Sequence, residues 1–147
     1  MFKKVLIGLD GSRSSLNALE YAIHIAKQEK AELKIITAAE PLPPLAGDGA
    51  PSYLPEYQED LLKSLEKMQK TQVEEIKKTL PDLKVTAEVK EGRAAHVIKE
   101  AAEEADLIII GHRGRGGLLS WVLGSVAKQV VDECTAPVLV VKDKDYC

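Results

Sequence analysis

Five short apolar runs alternate with four helical stretches along this chain, and alternation of that kind is the pattern of βαβ units building a mostly parallel sheet. The runs are Lys4 to Leu9, Leu33 to Ala38, Leu83 to Val89, Leu107 to Ile110 and Val138 to Val141. Leu107-Ile108-Ile109-Ile110 is apolar at every position, which requires cover on both faces and marks a central strand. The third run differs: Leu83, Val85, Ala87 and Val89 alternate with Lys84, Thr86, Glu88 and Lys90, so one of its faces is wet. Right-handed crossovers then predict a doubly wound, five-stranded α/β sheet with helices on both faces. Its simplest order is 3-2-1-4-5, with strands 1 and 4 adjacent where the winding reverses.

Between the runs, Leu16, Leu19, Ile23 and Ala26 recur at helical spacing as far as about Glu29, with Ser12 or Ser14 available as N-cap. Leu61, Leu65, Met68, Val73, Ile76 and Leu80 mark one face of a long helix. Shorter helices are expected over Ala94 to Glu104 and about Gly124 to Cys134. Residues 40 to 55 hold five of the seven prolines together with Gly47 and Gly49, which predicts a mobile loop. No internal repeat or long linker divides the 147 residues, so one domain over 1–147 is expected, of a size that buries a core without staples.

Twenty basic against 23 acidic side chains leave a formal net charge of -3, which supplies no electrostatic basis for binding nucleic acid. The few apolar residues before Asp10 are too short for a signal peptide or a membrane span, so a cytoplasmic protein without a membrane partner is expected. Cys134 and Cys147 make neither a disulfide framework nor a metal cluster, and Cys134 reads as a small core residue.

Chemistry concentrates in Gly111-His112-Arg113-Gly114-Arg115-Gly116-Gly117, between the buried fourth strand and the last helix. Ligands of open α/β sheets bind beyond the carboxyl ends of strands at the switch point, and glycines there let backbone N–H groups approach phosphate. Arg113 and Arg115 can add charge-assisted bonds. The plainer alternative is a flexible connection whose arginines face water. Two familiar motifs are excluded: no lysine follows these glycines as a P-loop requires, and Leu119 stands where a dinucleotide fingerprint needs its third glycine.

Gly111-x-x-Gly114, nine residues, then Gly124-Ser125 resembles the G-2x-G-9x-G-[ST] signature of the ATP-binding branch of the universal stress proteins. Val5 to Ser12, with Ser15 following, is similar to that family's first strand and turn, and Ala136 to Val141 to its last strand, so the resemblance runs the length of the chain. It implies an adenine nucleotide alpha hydrolase-like fold and ATP as ligand, with magnesium or manganese as candidate counter-ion. Gly111 and Gly114 would bring N–H groups to the phosphates, and Gly124, Ser125 and the N–H of Val126 would close the site at a helix N-terminus. Asp10 would meet ribose, base or a divalent ion, Gly8 would lie below the base, and the backbone of Ala38 would read the adenine edge.

Each residue also has a plainer role. Asp10-Gly11-Ser12 makes a turn and helix cap, and Gly124-Ser125 an ordinary N-cap. Trp121 has Leu118, Leu119, Val122 and Leu123 for packing. His24 and His96 lack metal-ligand company, while His112 either touches phosphate or is solvated. No nucleophile and base are paired, and Asp10 is the sole candidate base. The chain therefore reads as a nucleotide-responsive regulatory module of the stress response, the alternative being a slow ATPase or adenylate-handling enzyme that needs a partner. Val138 to Val141, apolar on both faces at a sheet edge, predicts a homodimer, and the resemblance points the same way.

Overall fold

A computed structural model describes residues 1–41, 55–113 and 123–143, and the statements below concern these. The elements run β1 (Lys4–Gly8), α1 (Arg13–Glu29), β2 (Glu32–Ala39), α2 (Pro55–Thr79), β3 (Val85–Glu91), α3 (Ala94–Ala102), β4 (Leu107–Gly111), α4 (Ser125–Glu133) and β5 (Val138–Val141). All four strand pairings are parallel and the order is β3-β2-β1-β4-β5, as the alternation of runs predicts. Most of the 40 to 55 segment, Gly114 to Val122 and Cys147 lie outside the described residues.

The sheet divides two cores. On one face Val5, Ile7, Leu33, Ile35 and Ile109 pack under α1 and α2; on the other Leu6, Ile36, Ile108 and Ile110 pack under α3 and α4. The adjacent β1 and β4 thus contribute alternate residues to both, which is why their runs are apolar throughout.

Both long helices bury most of the stripe that periodicity suggests, with Ile23, Met68 and Val73 also packed on the core, and each departs from it in one respect. In α1 the buried residues are Ser14, Ser15, Ala18, Leu19, Ala22 and Ala26, whereas Leu16 is exposed. Ala18, Ala22 and Ala26 on this face let the helix lie close on the sheet. In α2, Leu65 and Ile76 share their buried face with Gln69, which points inward because Nε2 donates to Thr37 Oγ1 and to the Glu88 carbonyl, both at 2.8 Å. A buried amide is tolerated when so paired.

Of the two cap candidates for α1, Ser12 takes the position: its Oγ accepts from the Ser15 N–H at 3.2 Å. Ser14 lies inside the first turn. Helix α3 stops at Ala102, two residues short of the sequence expectation, and β3 begins at Val85 rather than Leu83. Cys134 is half-buried at the end of α4, and the apolar surroundings push its thiol pKa up, away from the reactive range.

Candidate functional site

The carboxyl ends of β1, β2 and β4 and the start of α4 form one edge of the molecule. Gly8 ends β1, paired with Ile36, and the Leu9 N–H reaches the Ile36 carbonyl at 2.9 Å. Beyond that bond the chain turns through Asp10 and Gly11. Gly11 adopts φ +82°, a conformation that favours glycine. Asp10 Oδ1 accepts from the Ser12 N–H at 2.8 Å, while the Asp10 N–H donates to Ser15 Oγ at 3.2 Å. The turn-and-cap role of Asp10 is therefore real, and it leaves the carboxylate half-buried at the edge of the sheet.

Ala38 lies past the end of β1. In a parallel ladder successive residues direct their main-chain groups to opposite neighbours. The Leu33 N–H bonds to the Lys84 carbonyl just before β3 and the Ile36 carbonyl accepts from Leu9, so the main-chain groups of Ala38 face the same side as those of Ile36, beyond the end of β1. The side chain of Ala38 packs against the core beneath α3 and α4.

The glycines have packing reasons of their own. A Cβ on Gly111 would stand 2.7 Å from the backbone C and O of Ser14, so the first turn of α1 abuts the end of β4 there. One on Gly8 would approach Ile98 Cδ1 at 3.1 Å, a side-chain end that can yield. His112 is only 2% exposed, which removes the solvated alternative. Its N–H donates to the Val141 carbonyl at 2.9 Å, and its carbonyl accepts from the Gly124 N–H at 3.0 Å. Arg113 follows, half-buried, and Gly114 is outside the described residues.

That bond between Gly124 and His112 sets the start of α4 beside the end of β4. Gly124 is the N-cap, with φ −61° and ψ 156°, and it supplies no side-chain bond to the first turn. Helix α1 is capped by Ser12, whereas α4 presents the first-turn N–H groups of Ser125 and Val126 at its positive end with no side-chain acceptor among the described residues. Ser125 is exposed and Val126 half-buried. This end of α4 suits an anion, and the Asp10 carboxylate and the Ala38 backbone suit polar groups attached to it.

Two other regions carry less. A groove of about 410 Å³ opens near the amino ends of the strands, lined by Lys4, Glu32, Lys34, Thr86, Glu88 and Glu104 among others. Its charges are of both signs and Lys34 pairs with Glu88 at 3.4 Å, so it reads as the wet face of β2 and β3 left uncovered by the short α3. Among the described residues no three His, Cys, Asp or Glu side chains are grouped to hold a metal, and no helix is long and apolar enough to cross a membrane. His24 is exposed, and exposed His96 stands 3.3 Å from Glu100.

Sequence reasoning missed Ser14 and Asp143 at this edge. Ser14 Oγ donates to Asp143 Oδ2 at 2.7 Å, with both residues buried. Locally Ser14 reads only as a cap candidate and nothing marks Asp143, because the pair is joined only by the approach of the segment after β5 to the start of α1.

Comparison with known proteins follows the whole chain. The family model for the universal stress protein family matches residues 1–142. The chain is similar to universal stress protein YxiE of Bacillus subtilis, with 35% identity over 97% of this chain and 100% of the relative. Among solved structures, universal stress protein UspA from Lactobacillus plantarum covers 95% of this chain and 97% of its own at TM-score 0.77. Its 22% identity makes that a likeness of fold. A universal stress protein solved in complex with cAMP covers 95% of this chain and 97% of its own at TM-score 0.64 and 26% identity.

Proposed function

Because this chain belongs to the universal stress protein family, we propose that it binds ATP at the carboxyl edge of its sheet and acts as a nucleotide-responsive regulatory module in one domain. The observation that carries the reading is the start of α4. Gly124 provides no side-chain cap, and among the described residues no side chain bonds to the Ser125 and Val126 N–H groups, which with the Ser125 hydroxyl offer donors to phosphate at the positive end of the helix. The motif Gly111-x-x-Gly114 leads into this helix, and the related structure with cAMP supports an adenine nucleotide as the ligand class.

In this reading the phosphates lie against Gly114, Gly124, Ser125 and Val126, with His112 and Arg113 at the entry to the loop. Gly111, which the approach of α1 also requires to be glycine, turns its N–H toward the phosphates, and His112 acts through its backbone by holding Gly124. Asp10 faces the ribose or a magnesium or manganese ion brought in by the nucleotide, Gly8 closes the floor, and the main chain of Ala38 meets the adenine edge. The proposed output is occupancy of the site rather than turnover, the alternative being slow hydrolysis that needs a partner protein. The same chain pairs as a homodimer through Val138 to Val141.

The test is calorimetric titration of nucleotide-free protein with ATP in the presence of magnesium, alongside mass spectrometry of nucleotide released by acid from freshly purified protein. Saturable binding at one site per chain is expected. Absence of binding in both assays overturns the reading, and rapid hydrolysis by the protein alone replaces a regulatory module with an enzyme.

A further inference from the structure

Asp143 is a carboxylate only 8% exposed, accepting from the hydroxyl of Ser14, which is 3% exposed. A buried charge is retained at a cost, and an apolar pair of similar volume stabilises a fold at least as well. Its position suggests what it is for. Ser14 stands in the first turn of α1, with the end of β4 behind it, where even a Cβ on Gly111 would come within 2.7 Å of the Ser14 backbone. On the adjoining residues, Ser12 N–H donates to Asp10 Oδ1, Asp10 N–H donates to Ser15 Oγ, and Ser15 Oγ donates to the Ser12 carbonyl. A second bond, from Asn17 Nδ2 to the Lys142 carbonyl at 3.3 Å, ties the same exit of β5 to the next turn of α1.

We propose that Asp143 and Ser14 are positioning residues for the Asp10 turn: their buried hydrogen bond holds the first turn of α1 against the end of β4 and so places the Asp10 carboxylate at the nucleotide edge. The proposal rests on the reading of that edge as the nucleotide site, and it adds the residues that make Asp10 rigid. Asp143 acts through its hydrogen bond to Ser14 rather than as a charge felt by phosphate. A carboxamide at 143 still accepts from the Ser14 hydroxyl, whereas alanine does not.

The test compares wild type, Asp143→Ala, Asp143→Asn, Ser14→Ala and Ser14→Ala/Asp143→Ala. In titrations with ATP and with AMP, Asp143→Ala and Ser14→Ala should each weaken both nucleotides by a similar factor, about tenfold. The double variant should be no weaker than either single one, since the pair acts as a unit. Asp143→Asn should restore affinity to near wild type. If Asp143→Asn and Asp143→Ala both bind ATP more tightly than wild type with AMP unchanged, Asp143 acts by charge alone and the proposal fails.

A second arm needs no nucleotide. Amide hydrogen exchange in the nucleotide-free protein should accelerate at Ser12 and Ser15 in Asp143→Ala while Ile7 and Ile109 keep their rates. Uniform acceleration, or none, overturns the proposal. Should wild type bind no nucleotide, the binding reading falls and the exchange arm still decides whether Asp143 holds the turn. If Asp143→Ala does not fold, Ser14→Ala carries both arms.

Discussion

A glycine that looks like a ligand contact can be required by its own neighbours, and Gly111 shows how the two are separated. Its Cβ would collide with backbone atoms of Ser14, so Gly111→Ala should lower stability in urea unfolding by about 1–3 kcal/mol with or without nucleotide. Ser125 is the cleaner probe, being exposed at the start of α4. In the proposed site Ser125→Ala removes one bond to a charged group, worth about 1.5–3 kcal/mol, and should weaken ATP roughly ten- to a hundredfold while the unfolding midpoint stays put. A third residue carries strain. Lys30, at the C-cap of α1, is a non-glycine residue with φ 55°, and its N–H closes the helix on Ala26 and Lys27. Lys30→Gly keeps those bonds and relieves the left-handed backbone, so a gain of about 1 kcal/mol is expected, read as a raised melting temperature.

At the scale of elements, strands enter the sheet through side chains that tie down free backbone. Asp106 Oδ2 accepts from the N–H groups of Lys3 and Lys4, both at 2.9 Å, where β1 begins. Those backbone bonds hold its carboxyl pKa below the ordinary value. A depressed folded-state pKa adds stability that is complete above the unfolded value and is lost as pH falls through the folded one. The difference in urea midpoint between wild type and Asp106→Ala should therefore be full at neutral pH and shrink as pH is lowered below about 4. Helix α2 is fastened differently, through buried Gln69. Gln69→Leu strands the Thr37 hydroxyl, while the Glu88 carbonyl remains in the β2–β3 ladder, and should cost about 1–3 kcal/mol; adding Thr37→Val should recover much of it, as a double-mutant cycle would show.

For the whole molecule the open question of assembly sits at β5. Val138, Leu139 and Val140 are half-buried in the single chain, at the outer edge of the sheet. The Pro137 and Val141 carbonyls bond to β4, so the main-chain groups of Leu139 point inward as well, and the outward row belongs to Val138 and Val140. A proline at Leu139 would break the sheet itself. Val140→Pro removes an outward N–H instead, and edge strands tolerate proline there. A homodimer in sedimentation at micromolar concentration that becomes monomeric, still folded, in Val140→Pro is the expected result; a wild-type monomer would remove the dimer.

The order of the strands, the central place of β1 and β4 and the start of α4 at Gly124-Ser125 were legible in the sequence alone. They depend on hydrophobic period, crossover handedness and turn chemistry, all of which are local or follow from general rules of chain connection. What the tertiary structure decided depends on distance between segments remote in sequence. Leu16 faces out and alanines face in because α1 lies close on the sheet. Gln69 turns inward because Thr37 and Glu88 meet it, and His112 is buried because its backbone joins Val141 to Gly124. Asp143 reaches the carboxyl edge of the sheet only because the exit of β5 passes Ser14, 129 positions earlier in the chain, and no pattern of neighbours in sequence encodes that approach.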